Sequence, residues 1–245
     1  MTLDETIERT MRRADATIAE GDTMFTDRYM DVSASALRAI LAALHTTGTD
    51  VQRVLDFGCG YGRVLRAIRA AFPDAHLFAA DLNAEALHAA SQMFNATPIE
   101  GNPDISQIDQ VTGIDLVWCG SVLTHLDAPR WAELWGYFHR ALAPNGVVVA
   151  TTHGRRVAER LAQGRDYGLT PEQVGQVLNS YRSMGFGYVE YSPGRRYGIS
   201  LATPGWAIAS AQTAGFRVRG YDEAGWDNHQ DVLHAAISPR FTGAA

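Results

Sequence analysis

The run Val54-Leu55-Asp56-Phe57-Gly58-Cys59-Gly60-Tyr61-Gly62-Arg63 passes from an apolar strand into three glycines and then toward a helical stretch, Val64–Ala71. Glycine at 58, 60 and 62 opens backbone geometries closed to residues with a Cβ. It also lets a ligand lie against the main chain, near the free N–H groups of a helix N-terminus. Such a loop suits a nucleoside or a carboxylate. The spacing is G-x-G-x-G, whereas a dinucleotide fingerprint requires G-x-G-x-x-G, and Arg63 stands where the third glycine would be. Arg63 therefore argues against a pyrophosphate cradle and against a nicotinamide oxidoreductase. Asp56 closes the strand, placed to receive a cationic amino group. A second acid, Asp81, ends the next strand, where a carboxylate can accept both hydroxyls of a ribose. Taken alone, the glycine loop reads equally as a tight strand-to-helix turn; the two acids and the surrounding pattern favour a ligand site.

Around this segment, short apolar runs (Val54–Phe57, Leu77–Ala80, Leu116–Cys119, Val147–Ala150) alternate with helical stretches (Val64–Ala71, Ala84–Phe94, Pro129–Leu142). That alternation predicts an α/β fold with a doubly wound, mostly parallel sheet. A weaker strand near Pro98–Glu100 suits an edge because it contains proline. Upstream, Leu3–Ala19 and Ala34–Leu44 carry apolar residues at helical spacing and form a helical cover, the second helix stopping near Gly48. After His153 the alternation breaks. A helix is expected at Pro171–Met184, then a hairpin of Phe186–Tyr191 and Tyr197–Ala202 around Pro193-Gly194, inserted beside the sheet. The alternation resumes with a helix at Pro204–Ala214 and strands at Phe216–Tyr221 and Val232–Ile237, joined by a loop, Asp222–Asp231. The expected organisation is one domain, with a cover (1–48), a core (49–153), an insertion (154–203) and a closing helix with two strands (204–238).

Composition narrows the function classes. At 245 residues and 46% hydrophobic content the chain can bury a full core. A formal net charge of −6 without a clustered basic tract disfavours nucleic acid as a partner. The two cysteines, Cys59 and Cys119, sit in apolar or glycine-rich runs, so they supply neither a disulfide framework nor a zinc cluster, and a reducing cytoplasm fits. No signal-like segment opens the chain, and no stretch approaches about 20 uninterrupted apolar residues, so a membrane location is not expected. Oligomeric state is not legible.

The motif D-x-G-x-G-x-G at Asp56–Gly62, followed by an acid ending the second strand, resembles the class I S-adenosylmethionine (SAM)-dependent methyltransferases. The similarity extends over Val54 to Ile237. It implies a seven-stranded sheet of order 3-2-1-4-5-7-6 with the last strand antiparallel, and SAM as cofactor. By that resemblance Asp56, Gly58, Cys59, Gly60 and Gly62 border the methionine end, while Asp81, with Leu82 beside it, holds the ribose. Gly101-Asn102 lies near the adenine, with Asp104 the alternative in that loop. After the fourth strand, Cys119-Gly120-Ser121-Val122-Leu123-Thr124-His125-Leu126 is similar to a family segment bordering the methyl donor, which makes Gly120 and Ser121 cofactor contacts.

Three histidines are candidates for catalysis. His125 is either a general base for an acceptor hydroxyl or amine, since an imidazole titrates near 6.5, or a packed or capping residue. His153, after the fifth strand, is a base or a solvated loop residue. In Gly225-Trp226-Asp227-Asn228-His229-Gln230-Asp231, an extended backbone would put Asp227, His229 and Asp231 on one face, able to hold a proton or a divalent metal. A hydrogen-bond network pinning the loop is the plainer outcome, and no metal site is assigned. Tyr181, Tyr188, Tyr191 and Tyr197 with Arg195 and Arg196 suit a small polar, anionic or sugar-like acceptor, or form an aromatic mini-core. Met24, Phe25 and Tyr29 either close over the cofactor or pack in the cover. The expected reaction is in-line methyl transfer to an oxygen or nitrogen of a small polar acceptor. The alternatives are a SAM-binding protein without transfer, or a protein or RNA methyltransferase; RNA is disfavoured by the acidic charge balance and because no N-P-P-Y-like motif follows the fourth strand, while a protein acceptor stays open.

Overall fold

A computed structural model describes residues 2–24 and 27–237. In chain order its elements begin with α1 (Leu3–Met11), α2 (Tyr29–Thr47), β1 (Arg53–Phe57), α3 (Leu65–Ala71), β2 (His76–Asp81), α4 (Ala84–Phe94) and β3 (Ala96–Glu100). Next come β4 (Ile114–Cys119), a 3-10 turn at Leu123–His125, α5 (Ala128–Ala141), β5 (Leu142–Thr152), α6 (Arg155–Ala162) and α7 (Pro171–Met184). The chain closes with β6 (Phe186–Glu190), β7 (Gly198–Ala202), α8 (Pro204–Thr213), β8 (Phe216–Trp226) and β9 (Gln230–Ile237). The main sheet runs β3-β2-β1-β4-β5-β9-β8, and β6 and β7 form a separate antiparallel pair. With β8 and β9 as the sixth and seventh strands of the core, this is the expected order, and the last strand is antiparallel to both neighbours.

Alternation along each strand feeds two apolar layers. Leu55, Phe57, Phe78, Val117, Cys119, Val148 and Ala150 face α5 and α8, where Trp131, Trp135 and Phe138 are fully buried. Val54, Leu77, Ala79, Leu116, Trp118 and Val149 face α2, α3 and α4. Burial on both faces explains why these strands read as nearly continuous apolar runs. Helix starts are set by side chains: Asn83 accepts from the Glu85 and Ala86 amides to open α4, and Asp127 accepts from the Arg130 amide to open α5. Gly48, with φ of 67°, closes α2 in the left-handed conformation.

Three expectations need correction. The first helix ends at Met11 rather than Ala19, because beyond it the backbone finds other partners. Thr17 N donates to Asp15 Oδ1 (2.8 Å), and the buried Arg66 guanidinium donates to the carbonyls of Asp15 and Thr17. Helix α6 was not anticipated; its buried Val157, Ala158 and Leu161 join α7 and the β6–β7 pair in a small core of their own. The expected long loop 222–231 is mostly strand. β8 continues to Trp226, and β9 begins at Gln230 after a turn in which Asp227 and Asn228 have φ of 53° and 51°. Asn and Asp tolerate that region better than most residues.

Candidate cofactor and acceptor site

The carboxyl ends of β1, β2 and β3 are tied together around Asp81. The Gly58 and Cys59 amides donate to Ala80 O (2.8 and 3.0 Å), and the Gly60 amide donates to Asp81 Oδ2 (2.7 Å). The Asn83 amide donates to Asp81 Oδ1 (2.8 Å), and the Gly101 amide to Asp81 O (2.9 Å). Asp81 therefore shapes the glycine loop, and its carboxylate oxygens retain lone pairs for a ligand. Gly58 has φ of 85°, and a Cβ there would stand 2.3 Å from Val122 Cγ2. Gly62 does not itself line the cavity; with φ of 83°, a Cβ there would meet the Phe94 ring at 2.4 Å, so its glycine lets α3 approach α4.

Above this loop opens a cavity of about 600 Å³. Asp56, Gly58, Cys59, Gly60, Asp81, Leu82, Asn102, Gly120, Ser121 and His125 all line it. Of the two polar candidates in the loop after β3, Asn102 lines the cavity, with Gly101 and Pro103 beside it, whereas Asp104 caps the 3-10 turn at Ile105–Gln107. Asp56 is buried, and neither of its carboxylate oxygens has a hydrogen-bond partner among the described residues. Burial, with the Asp81 charge adding to it, pushes its pKa up to about 8. A carboxylate so placed is short of a cation. Leu82 is 60% exposed and offers an apolar contact at the rim. The set matches a ligand with an ammonium, a diol and a flat apolar base. Burial pushes the thiols of Cys59 and Cys119 up, which leaves both protonated and unsuited to nucleophilic duty.

The loop after β4 is braced from the far side of the sheet. Ser121 adopts φ of 62°, and its amide donates to Thr151 Oγ1 (2.8 Å). Thr151 Oγ1 donates to Gln230 Oε1 (2.6 Å), and Gln230 Nε2 donates back to Ser121 Oγ (3.0 Å). Sequence reasoning missed Thr151 and Gln230, since nothing local signals that the first residue of β9 reaches the end of β4. Arg63 lines the cavity too, its guanidinium 5.9 Å from the Tyr29 ring and 5.8 Å from that of Trp226. Met24 lines the cavity as well. Tyr29 does not: it is buried and donates to Asp22 Oδ2 (2.6 Å), a packing role. Phe25 lies outside the described residues.

Of the three histidines, only His125 lines the cavity. Its Nδ1 stands 2.7 Å from Gly198 O. A carbonyl only accepts, so Nδ1 carries the proton and Nε2 bears the lone pair. Burial lowers the His125 pKa, against the opposing pull of the Gly198 carbonyl, so the ring is neutral at pH 7. His153 lies behind it, buried rather than solvated, with ring centroids 6.5 Å apart and no hydrogen-bond partner for Nδ1 among the described residues. His229 follows 5.6 Å further on, its Nε2 3.0 Å from Tyr167 Oη. Asp227, His229 and Asp231 do not converge. Asp227 pairs with Arg28, whereas Asp231 is buried in β9, where it accepts from Tyr221 Oη (2.6 Å) and the Ala224 amide (2.8 Å). Among the described residues no group of three His, Cys, Asp or Glu is arranged to hold a metal.

The β6–β7 pair leans over the cavity through the turn between its strands. Arg195, Arg196 and Tyr197 line the cavity, whereas Tyr181, Tyr188 and Tyr191 do not. Arg130, buried on α5 and missed in the sequence, fastens that turn: it donates to Arg196 O and to Tyr188 Oη (3.0 Å) and pairs with Asp127 (3.1 Å). Tyr197 stacks on His125, centroids 4.6 Å apart.

Sheet order, glycine loop and paired acids together define a doubly wound α/β domain with a ligand cavity at the carboxyl ends of its strands. Residues 55–148 match the family model described as a methyltransferase domain. Comparison with curated proteins finds no match. Among solved structures, a SAM-dependent methyltransferase from Clostridium acetobutylicum is similar at TM-score 0.59 and 14% identity, over 84% of this chain and 92% of that one. Human N-acetylserotonin methyltransferase in complex with SAM is similar at 0.55 and 16%, over 97% and 67%. Magnesium protoporphyrin IX methyltransferase from Synechocystis, with S-adenosylhomocysteine (SAH) bound, is similar at 0.56 and 15%, over 96% and 94%. At these identities the structural likenesses define the fold, and the family match names the domain. Residues 55–148 thus carry a methyltransferase domain, and the chain has the fold of SAM-dependent methyltransferases. Among the described residues, no helix is long and apolar enough to cross a membrane.

Proposed function

We propose that the protein transfers a methyl group to an oxygen or nitrogen of a small polar acceptor, with His125 as general base. The observation that carries this reading is the His125 Nδ1 contact to Gly198 O in a ring lining the cavity. It presents a neutral imidazole with an available Nε2 lone pair beside the cofactor residues. When bound, SAM supplies an activated methyl group on a cationic sulfur. Asp56 would hold its ammonium and Asp81 its ribose hydroxyls, while Leu82 and Asn102 would flank the base. Gly58, Cys59, Gly60, Gly120 and Ser121 would border the rest. The protein's own work is alignment and exclusion of water, with the insertion 154–203 closing the acceptor side. His125 takes the proton released when a hydroxyl or amine is methylated. His153 and His229, in file behind it, orient that ring and do not meet the acceptor. Two structural neighbours are named for small molecules, N-acetylserotonin and magnesium protoporphyrin IX, in keeping with an acceptor of that size.

SAH release from a panel of phenols, alcohols and amines tests the reading. His125→Gln is expected to lower kcat about 10²–10⁴-fold while leaving SAH affinity unchanged. The wild-type rate should rise with pH through a value below 6.5 and then level off, because only the neutral ring accepts a proton. Unchanged turnover in the variant would remove His125 from the chemistry.

A further inference from the structure

The cavity is electrically lopsided. Its lining holds three acids, Asp22, Asp56 and Asp81, with Arg63 beside the glycine loop, whereas the β6–β7 turn holds Arg195 and Arg196 side by side next to Arg130. The guanidinium of neither Arg195 nor Arg196 forms an ion pair or a side-chain hydrogen bond among the described residues. The acids nearest the turn are committed elsewhere. Glu190 accepts from the backbone amides of Gly194 and Arg196 (2.6 and 3.1 Å), and so shapes the turn. Asp104, which senses the Arg196 charge, accepts from the Ser106 amide and hydroxyl (3.0 and 2.7 Å). Backbone and side chain of the turn are thus divided: Glu190 and the buried Arg130 fix the main chain, and two adjacent cations are left facing the cavity in a protein whose net charge is −6. Like charges placed together repel unless an anion joins them, and a planar guanidinium fork matches carboxylate and phosphate oxygens. Beside them stand the stacked His125 and Tyr197 rings, with Tyr191 5.7 Å from Tyr197.

Resting on the methyl-transfer reading above, we infer that the acceptor is a small aromatic anion. Its carboxylate or phosphate is held by Arg195 and Arg196, its ring lies along Tyr197, and its hydroxyl or amine is turned toward His125. The turn is then a specificity element. It selects charge at the end of the acceptor remote from the methylated atom, while the cofactor acids repel that charge and so set the orientation.

Calorimetric titration of the SAH-loaded protein tests this with 4-hydroxybenzoate and phenyl phosphate as the anions, and 4-hydroxybenzamide and phenol as their neutral counterparts. The anions are expected to bind at least about tenfold tighter, roughly 1.4 kcal/mol. The advantage should shrink with added salt and disappear in the Arg195→Gln/Arg196→Gln double variant, whose SAH affinity stays within about twofold of wild type. The ratio of the two anion affinities shows whether carboxylate or phosphate is the better fit. Neutral compounds binding as tightly, a preference surviving in the double variant, or binding of neither anion would overturn the inference. Failure of the wild type to bind SAH at all would instead overturn the cofactor reading on which it rests.

Discussion

The two halves of the cavity are built by different means. The cofactor half is a product of the sheet: the carboxyl ends of β1, β2 and β3 meet within a few residues, and backbone amides tie them around Asp81. The acceptor half is assembled from parts far apart in sequence, with the β6–β7 turn fastened by Arg130 across 66 positions and His125 fixed by Gly198 across 73. A half tied by backbone amides between adjacent parallel strands has little freedom to vary. A half hung on a few long-range side-chain contacts can change its specificity without disturbing the other.

The comparison breaks most visibly at Gly58. Placing alanine there forces a left-handed backbone, about 1–2 kcal/mol, and a clash with Val122 worth about 1–3 kcal/mol. Gly58→Ala is expected to lower SAH affinity by about a hundredfold or more, measured by calorimetry, with a fall in Tm.

Asp56 sharpens the contrast through pH. Without cofactor it titrates near 8, and a bound ammonium favours the ionised form, so binding expels a proton. SAH affinity should therefore rise about tenfold per pH unit between roughly pH 5 and 7, with nearly one proton released per ligand in buffers of differing ionisation enthalpy. In Asp56→Asn the affinity should be flat with pH; a flat wild-type profile would show the carboxylate to be ionised already.

The smallest effect falls on the acceptor side. Arg130→Met keeps much of the buried volume but frees the turn. KM for the acceptor is expected to rise about fivefold with SAH affinity unaltered, whereas a parallel loss of both would mean that the two halves are one unit.

The same division explains what was legible in the chain. Asp56 and the glycines announce themselves because period, turn chemistry and charge act within one strand-loop-helix unit, Asp81 does so at the end of the next strand, and sheet order follows from the alternation of such units. Gly62 has a packing role that the sequence does not disclose, because a glycine that borders a ligand and one that admits a neighbouring helix look alike there; the Phe94 ring reveals the second. The length of β8 was underestimated because Asp222, Glu223 and Gly225 read as loop, although the strand carries them along an edge of the sheet. Gln230, Thr151 and Arg130 were invisible because each acts through a partner brought near only by the completed fold.

The brace on Ser121 also sets a schedule. Gln230 leaves the ribosome 109 residues after Ser121, a delay of roughly 5–20 s at ordinary elongation rates. Through that interval a nascent chain can display the glycine loop and both acids while the loop after β4 lacks its partner. The loop after β4 gains its brace only once the reversed strand slides between β5 and β8, so synthesis of the chain sets the earliest moment at which that edge of the cavity is complete.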